Sequence, residues 1–224
     1  MARYHHVFFD LDGTITDSSL GIINSVQYAL EKLGLPPRTK KELEYFIGPP
    51  LLDSFVDFIG LNETDAQKAV LLYREYYAKK GIYENKVYDE VENLLKQLHT
   101  SGKKLYIATS KPEVFAKLII THFGLNRYFT DVYGASLDAS RSKKADVLRY
   151  GIESSEIKEL DKTVMIGDRE HDMIGGKENH VATIGVTYGF GSRKELEETN
   201  ATFVIDTPLE ILPLVYGANR KTTL

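Results

Sequence analysis

The sequence predicts an α/β protein built on a parallel sheet, and two observations lead to this prediction. Short apolar runs that are typical of buried strands alternate with segments of helical spacing through most of the chain. The first run, His6–Phe9, is apolar at successive positions, as in a parallel strand that is covered on both faces. Between this run and the next strand, residues 16–84 carry helical patterns only. We therefore expect a parallel sheet covered by helices, with a small all-helical segment inserted after the first strand.

The individual elements follow from turn signals and hydrophobic periodicity. Asp17 opens the insert as a helix N-cap candidate, Gly34 ends that helix, and two prolines prevent its return. Further helices of the insert are predicted over residues 41–46, 51–59 and 64–79. Outside the insert, strands are predicted over residues 105–108, 131–133, 163–166, 182–186 and 203–205, and helices over residues 90–99, 112–122, 143–150, 171–179 and 194–198. This alternation predicts a Rossmann-like core domain, residues 1–15 and 85–224, and a helical cap domain, residues 16–84.

Composition narrows the possible function classes. The chain has 224 residues, 42% of them hydrophobic, which is enough for a substantial core. Its net charge of −4 disfavours a nucleic acid polymer or an anionic membrane as the main partner. The absence of cysteine excludes disulfides, thiolate catalysis and cysteine zinc sites. No apolar run reaches the length of a membrane span, and Asp10 comes too early for a signal peptide. We expect a cytoplasmic monomer or homodimer.

Asp10-Leu11-Asp12-Gly13-Thr14 directly follows the first strand and is the strongest chemical signal in the chain. In extended backbone the side chains at i and i+2 point to the same side, so Asp10 and Asp12 should face one common point. Two like charges held close together require a cation or a shared proton. A calcium loop is excluded because Gly13 comes too early for that pattern and a strand precedes it. The string therefore indicates a site for a hard cation and a phosphate.

Three further polar clusters come after later strands or at a helix start. They are Thr109-Ser110-Lys111, residues 141–144 and Gly167-Asp168-Arg169-Glu170-His171-Asp172. Each has an ordinary explanation by itself, as a helix cap, an exposed basic pair or a loop. Because ligands of open parallel sheets bind beyond the carboxyl ends of the strands, the clusters are expected to meet. Carboxylates suit Mg²⁺, and a lysine with hydroxyl or amide donors can clamp a phosphoryl group, so together they predict a phosphoryl-transfer site.

In these four motifs the chain resembles the haloacid dehalogenase superfamily, specifically the phosphatases with a helical cap after the first strand. Within these phosphatases the chain is most similar to the phosphoglycolate-phosphatase-like and 5′-nucleotidase-like branch, and residues 48–51, 109–117 and 167–172 resemble the 5′-nucleotidase-like group most. The resemblance implies a Mg²⁺-dependent phosphatase that hydrolyses a small phosphorylated metabolite through an aspartyl-phosphate. It also implies that Gly48 and Pro49 lie on the cap near the substrate. The tail, residues 216–224, matches no motif.

The resemblance further implies a role for each matching residue. Asp10 would be the nucleophile and a Mg²⁺ ligand, and Asp12 the general acid and base, with its backbone carbonyl on the metal. Thr109 and the amide of Ser110 would hold the phosphoryl oxygens.

The remaining implied roles belong to the last two motifs. Lys144 would neutralise the charge of the phosphate and the nucleophile, with Lys143 as the alternative because the two lysines are adjacent. Asp168 would bind Mg²⁺ directly, and Asp172 would act through a water or orient the lysine.

Two other functions stay open at this stage. A sugar phosphomutase shares the fold, the cap and both aspartates of the first motif. A non-enzymatic signalling protein of the response-regulator type also phosphorylates an aspartate on a parallel sheet, although the helical insert and Asp12 argue against it. A dehalogenase is disfavoured because it needs no acid at position 12.

Overall fold

The computed structural model describes residues 3–138 and 140–217, which contain two compact units. One unit comprises Met1–Thr16 and Val87–Leu224, and the other comprises Asp17–Lys86. Residue 139 and residues 218–224, which include most of the tail singled out above, lie outside the described part of the chain.

The secondary structure alternates as the sequence predicts. The strands are β1 (His6–Phe9), β2 (Thr16–Asp17), β3 (Lys86–Val87), β4 (Lys104–Pro112), β5 (Asp131–Ala135), β6 (Thr163–Gly167), β7 (Ala182–Val186) and β8 (Phe203–Ile205). The helices are α1 (Ser19–Lys32), α2 (Lys40–Leu43), α3 (Leu51–Asp57), α4 (Glu63–Tyr76), α5 (Val91–Thr100), α6 (Glu113–His122), α7 (Lys144–Ser154), α8 (Glu170–Glu178), α9 (Arg193–Glu198) and α10 (Ile211–Tyr216). None of these described helices is long and apolar enough to cross a membrane.

The six-stranded sheet of the first unit is parallel throughout, with the order β5-β4-β1-β6-β7-β8. Counted along the chain within this sheet, the order is 3-2-1-4-5-6, the doubly wound arrangement. Strand β1 pairs with β4 on one side and β6 on the other, and Phe9 is in register with Ile107 and Ile166. The predicted parallel α/β fold is therefore confirmed.

Helices cover both faces of this sheet. On one face, Phe8, Tyr106 and Met165 form a core cluster with Val147 and Leu148 of α7. Successive residues of a strand point to opposite faces, and their neighbours are also fully buried: Val7, Phe9, Leu105, Ile107, Val164 and Ile166. Burial on both faces explains why the strands are continuously apolar in sequence, as expected for a parallel sheet.

The second unit is helical apart from the two-residue strands β2 and β3 at its ends. Side-chain hydrogen bonds stabilise several of its helix starts, although the side chain of Ser18, the N-cap residue of α1, makes no capping hydrogen bond. The Asp17 carboxylate accepts a 3.0 Å hydrogen bond from Ser19 N, and Asn62 accepts one of 3.0 Å from Asp65 N. Thr39 and Glu42 form a capping box at α2. The helix predicted to reach residue 79 is α4 followed by a π-helical turn, Tyr77–Gly81.

Candidate active site

The order of the strands in the sheet defines where a ligand would bind in the first unit. The chain runs outward from β1 to β4 and β5, then returns to β6 and continues in the other direction. The crevice of such a sheet opens at this switch point, beyond the carboxyl ends of β1 and β6. Asp10 directly follows β1 and Asp168 directly follows β6, so both lie at the switch point.

Three buried carboxylates converge at this point. Asp10, Asp168 and Asp172 each offer an oxygen within 4.8 Å of the others. Asp168 and Asp172 are almost completely buried, and Asp10 is 8% exposed. Asp172 comes from the first turn of α8, and its Oδ2 accepts a 3.1 Å hydrogen bond from the Arg169 backbone N–H. The pair at positions 168 and 172 thus joins Asp10, as the sequence motifs predict.

Lys144 supplies the ammonium group of the cluster. Its Nζ lies 2.6 Å from Asp10 Oδ1 and 2.9 Å from Asp172 Oδ1, and it donates a 3.0 Å hydrogen bond to the Ala108 carbonyl. Three partners match the three N–H donors of an ammonium. Its neighbour Lys143 is exposed and is the N-cap residue of α7. Of the two lysines that the sequence leaves open, the structure brings Lys144 to the carboxylates.

The charge balance of the cluster fits a divalent cation. Burial raises the pKa of Asp10 to about 6, although Lys144 opposes this shift. Burial also raises the pKa of Asp168, and the charges of Asp172 and Asp10 raise it further. Burial would lower the pKa of Lys144, but the two carboxylates outweigh it and raise that pKa. Three carboxylates with one ammonium leave an excess of negative charge. Carboxylate oxygens of this kind suit Mg²⁺.

Asp168 is held by a loop that sequence reasoning did not single out. Phe190 N donates a 2.8 Å hydrogen bond to Asp168 Oδ2, and Thr14 Oγ1 lies 3.4 Å from Oδ1. Gly13 has φ +84°, and a Cβ there would lie 2.2 Å from Asp168 Oδ2. Glycine is therefore required at position 13 by both the backbone and the space. A sequence pattern that could have indicated this loop is the glycine-rich stretch 188–191, which follows strand β7 at the same edge of the sheet.

Asp12 has a different ion-pair partner from Asp10. That the two carboxylates face one common point stays a prediction. Both oxygens of Asp12 lie 2.7 Å from Nζ of Lys111, and Asp12 does not belong to the three-carboxylate cluster. The strand ends at Phe9, so both carboxylates lie beyond the last residue of β1. Sequence reasoning quoted Lys111 within a motif but gave it no role.

The other predicted site residues lie as follows. Thr109 is buried near the end of β4, next to the strand that carries Asp10, and its Oγ1 accepts a 3.3 Å hydrogen bond from the backbone N–H of Lys111. Ser110 is half-buried in the same strand. Gly48 and Pro49 belong to the second unit, between the 3₁₀ turn Glu44–Phe46 and α3. Their contact with a substrate stays a prediction.

Without a divalent cation, the protein should lose stability as the pH rises from about 4 through about 6. The raised pKa values of Asp10 and Asp168 make the folded state hold more protons than the unfolded state in this window, so the free energy of unfolding falls through pH about 6. Mg²⁺ should restore stability at the higher pH, by about 2.7 kcal/mol at a hundredfold excess over its Kd. Thermal unfolding in chelator and in Mg²⁺ measures both effects.

Asp168→Asn tests the source of this behaviour. The variant should show a weaker pH dependence and a smaller Mg²⁺ effect, because one buried carboxylate is gone. Asp146→Asn is the control, since Asp146 pairs with Arg149 on the surface of α7. An Asp168→Asn protein that responds to Mg²⁺ as strongly as the wild type would contradict the assignment.

Comparison with known proteins agrees with this geometry. Residues 7–186 match the family model of the haloacid dehalogenase-like hydrolases. A protein of Pseudomonas aeruginosa named 5′-nucleotidase is 46% identical over 200 residues, which cover 89% of this chain and 90% of the relative. The tyrosine-protein kinase PtkA of Mycobacterium tuberculosis is 37% identical over 88% of this chain and 67% of its own length.

The fold is also shared with solved structures. The crystal structure of a predicted phosphatase from Clostridium acetobutylicum superposes with a TM-score of 0.89 at 47% identity, covering 93% of this chain and 96% of the other. The family match spans more than half of the sequence and includes the first and the last of the four motifs. The chain therefore belongs to the haloacid dehalogenase-like hydrolases.

Proposed function

We propose that this hydrolase is a Mg²⁺-dependent phosphatase that hydrolyses 5′-nucleotides through an aspartyl-phosphate on Asp10. The observation that carries the proposal is the position of the Asp10 carboxylate, which lies at the switch point of the sheet between the Lys144 ammonium and two other buried carboxylates. Phosphoryl transfer requires a nucleophile and positive charge at one place. The relative named 5′-nucleotidase, which aligns along most of both chains, supports the choice of a nucleotide substrate.

Asp10 is the nucleophile in this proposal. Within the described residues, its two hydrogen-bonding contacts, from Leu11 N at 2.7 Å and Lys144 Nζ at 2.6 Å, both fall on Oδ1. Oδ2 is therefore the oxygen that we assign to attack on phosphorus. A carboxylate nucleophile divides ester hydrolysis into two easier steps, formation of an acyl-phosphate and its hydrolysis.

Mg²⁺ would be held by the carboxylates of Asp10 and Asp168 and by the backbone carbonyl of Asp12, with Asp172 acting through a water or through Lys144. When bound, the ion would neutralise negative charge on the carboxylates and the phosphate. Lys144 adds positive charge beside Asp10, which favours the approach of an anionic phosphate.

Asp12 transfers the protons, and Thr109 and Ser110 orient the phosphoryl group. In the first step Asp10 Oδ2 bonds to phosphorus while the phosphorus–ester oxygen bond breaks, and the leaving oxygen takes a proton from Asp12. In the second step the Asp12 carboxylate takes a proton from a water that attacks the aspartyl-phosphate, which releases inorganic phosphate and regenerates Asp10. Thr109 Oγ1 and the Ser110 amide donate hydrogen bonds to the phosphoryl oxygens in both steps.

Release of inorganic phosphate from a panel of phosphomonoesters tests the proposed function. We expect Mg²⁺-dependent release with the highest kcat/KM for a 5′-nucleotide. The panel also contains 2-phosphoglycolate, sugar phosphates, phosphotyrosine and p-nitrophenyl phosphate, and each is assayed with Mg²⁺ and with chelator.

The other outcomes of the panel would replace parts of the proposal. A higher kcat/KM for 2-phosphoglycolate or phosphotyrosine would keep the phosphatase and overturn the nucleotide substrate. Isomerised hexose phosphate in the presence of a bisphosphate, without free phosphate, would indicate a mutase. An aspartyl-phosphate that persists for many minutes in the wild type would indicate a signalling protein.

A further inference from the structure

Strand β4 contains an irregularity directly before α6. Thr109 is in register with Gly134 of β5, but the next paired residue is Pro112, opposite Ala135. Ser110 and Lys111 are thus two residues without counterparts on the neighbouring strand. A bulge of this kind re-aims a side chain and is frequent next to active sites.

The bulge is fixed from the side of β5. A Cβ on Gly134 would lie 2.5 Å from Glu113 Cα and 2.7 Å from the Lys111 carbonyl oxygen, so the bulged backbone passes where a side chain would stand. Gly134 N donates a 3.3 Å hydrogen bond to Glu113 Oε2, and Arg141 Nε donates one of 3.0 Å to the Gly134 carbonyl. Arg141 Nη2 also lies 3.5 Å from Glu113 Oε2. These contacts hold Gly134 and Glu113, which lie next to the bulged backbone of Lys111.

The side chain of Lys111 ends on Asp12 in a shielded ion pair. Nζ lies 2.7 Å from each carboxylate oxygen, and the side chains are only 7% and 15% exposed. The pair Lys117–Glu113 in α6 has the same 2.7 Å distance, but its lysine side chain is 50% exposed. An exposed pair contributes little, whereas a shielded pair with two short contacts fixes the carboxylate in one orientation.

We propose that Lys111 is a positioning residue that holds the Asp12 carboxyl group in the orientation required for proton transfer to the leaving oxygen. This inference rests on the proposed phosphatase function. As the phosphorus–ester oxygen bond breaks, its electron pair stays on the ester oxygen, which takes the proton from Asp12. Asp12 is then a carboxylate, and the ammonium of Lys111 is in place to pair with it. With three N–H donors, Lys111 can contact one oxygen of Asp12 while the other transfers the proton.

The leaving group distinguishes this role from a purely structural one. An alkyl phosphate, such as a 5′-nucleotide, releases a strongly basic alkoxide and needs the proton in the transition state. p-Nitrophenyl phosphate releases a stabilised phenolate and needs little help. A misplaced Asp12 should therefore reduce kcat/KM for the alkyl ester far more than for the aryl ester, whereas loose packing or partial unfolding reduces both equally. The ratio kcat/KM is used because it reports the first chemical step.

The test compares Lys111→Met, Lys111→Arg and Lys162→Met with the wild type. For Lys111→Met we expect kcat/KM for the alkyl ester to fall by about 10- to 100-fold and that for the aryl ester by less than about threefold, within the range of general acid catalysis. Lys111→Arg keeps the charge and should recover part of the loss. Lys162→Met removes an exposed ion pair with Glu159, which has no contact with the bulge described above, and should leave both values unchanged. Asp12→Asn removes the acid itself and so gives the largest difference between the two esters in the loss of kcat/KM that this mechanism allows.

Gly134→Ala provides a second test that leaves the chemistry of Lys111 intact. It displaces the bulged backbone, so it should produce the same selective loss for the alkyl ester, and it keeps the inference testable if Lys111→Met does not fold. Equal losses on both esters in the folded Lys111 and Gly134 variants would overturn the inference. Failure of the proposed function looks different, because the wild type would then release no phosphate from either ester.

Discussion

Asp10→Asn should abolish turnover, with a loss in kcat of at least about 10⁴-fold, while the protein stays folded. The amide oxygen carries no negative charge and cannot form the acyl-phosphate, so the first chemical step is lost. The substitution also removes one of three buried carboxylates that lie within 4.8 Å of each other. Because burial raises the pKa of Asp10 to about 6, the neutral side chain should cost the fold little. Phosphate release and thermal unfolding measure the two parts of this expectation.

Trapping of the intermediate identifies the residue that attacks phosphorus. A single turnover in ¹⁸O-water, with enzyme in excess, also shows where water attacks the intermediate: label in the released phosphate and none on Asp10 indicates attack on phosphorus rather than on the Asp10 carbonyl carbon. Acid quenching of the wild type should trap phosphate on the peptide that contains Asp10. Asp146→Asn is the surface control and should retain full activity. Substantial turnover by Asp10→Asn, or trapped phosphate on another residue, would refute the nucleophile assignment.

The sheet and its catalytic edge were predictable because burial imposes a simple pattern on the sequence. A parallel strand covered on both faces must be apolar at every position, so His6–Phe9 identifies β1 and places Asp10 at its end. The same reasoning locates Asp168 after β6. Helix α10 lacked such a pattern, since its six residues are almost entirely apolar and contain a proline.

The partners of the charged side chains were less predictable. Lys143 and Lys144 are adjacent, and lysine is usually exposed, so only the start of α7 decides which of them is buried. The contact of Lys111 with Asp12 depends on a two-residue bulge that shifts the register of β4, and bulges leave no periodic signal in sequence. The partner of Asp12 therefore could not be predicted from the sequence and is known only from the structure.

Lys144→Met should reduce kcat/KM by about 10³-fold, whereas Lys143→Met should change it by less than about twofold. The Lys144 ammonium contacts Asp10, Asp172 and the Ala108 carbonyl, so its removal takes away the positive charge that these three groups share. Lys143 carries the same charge one residue away but is exposed. Both variants lose one positive charge, so comparing their kcat/KM at the same Mg²⁺ concentration shows whether the position of the lost charge matters.

The effect of Lys144→Met on stability must be measured separately from its effect on catalysis. Without the lysine, the buried carboxylates of Asp10 and Asp172 lose their counter-ion, which lowers the free energy of unfolding. Breaking a buried ion pair from one side costs about 3–5 kcal/mol, and here the methionine would leave three acidic groups together. Protonation of the acids or bound Mg²⁺ offsets that cost. In Mg²⁺ or at lower pH, Lys144→Met should therefore be folded and show a cooperative thermal unfolding transition. If it does so and turnover still stays low, the loss lies in the reaction. If activity returns along with stability, Lys144 serves only to balance charge in the folded state, and its proposed action on the phosphoryl group is wrong.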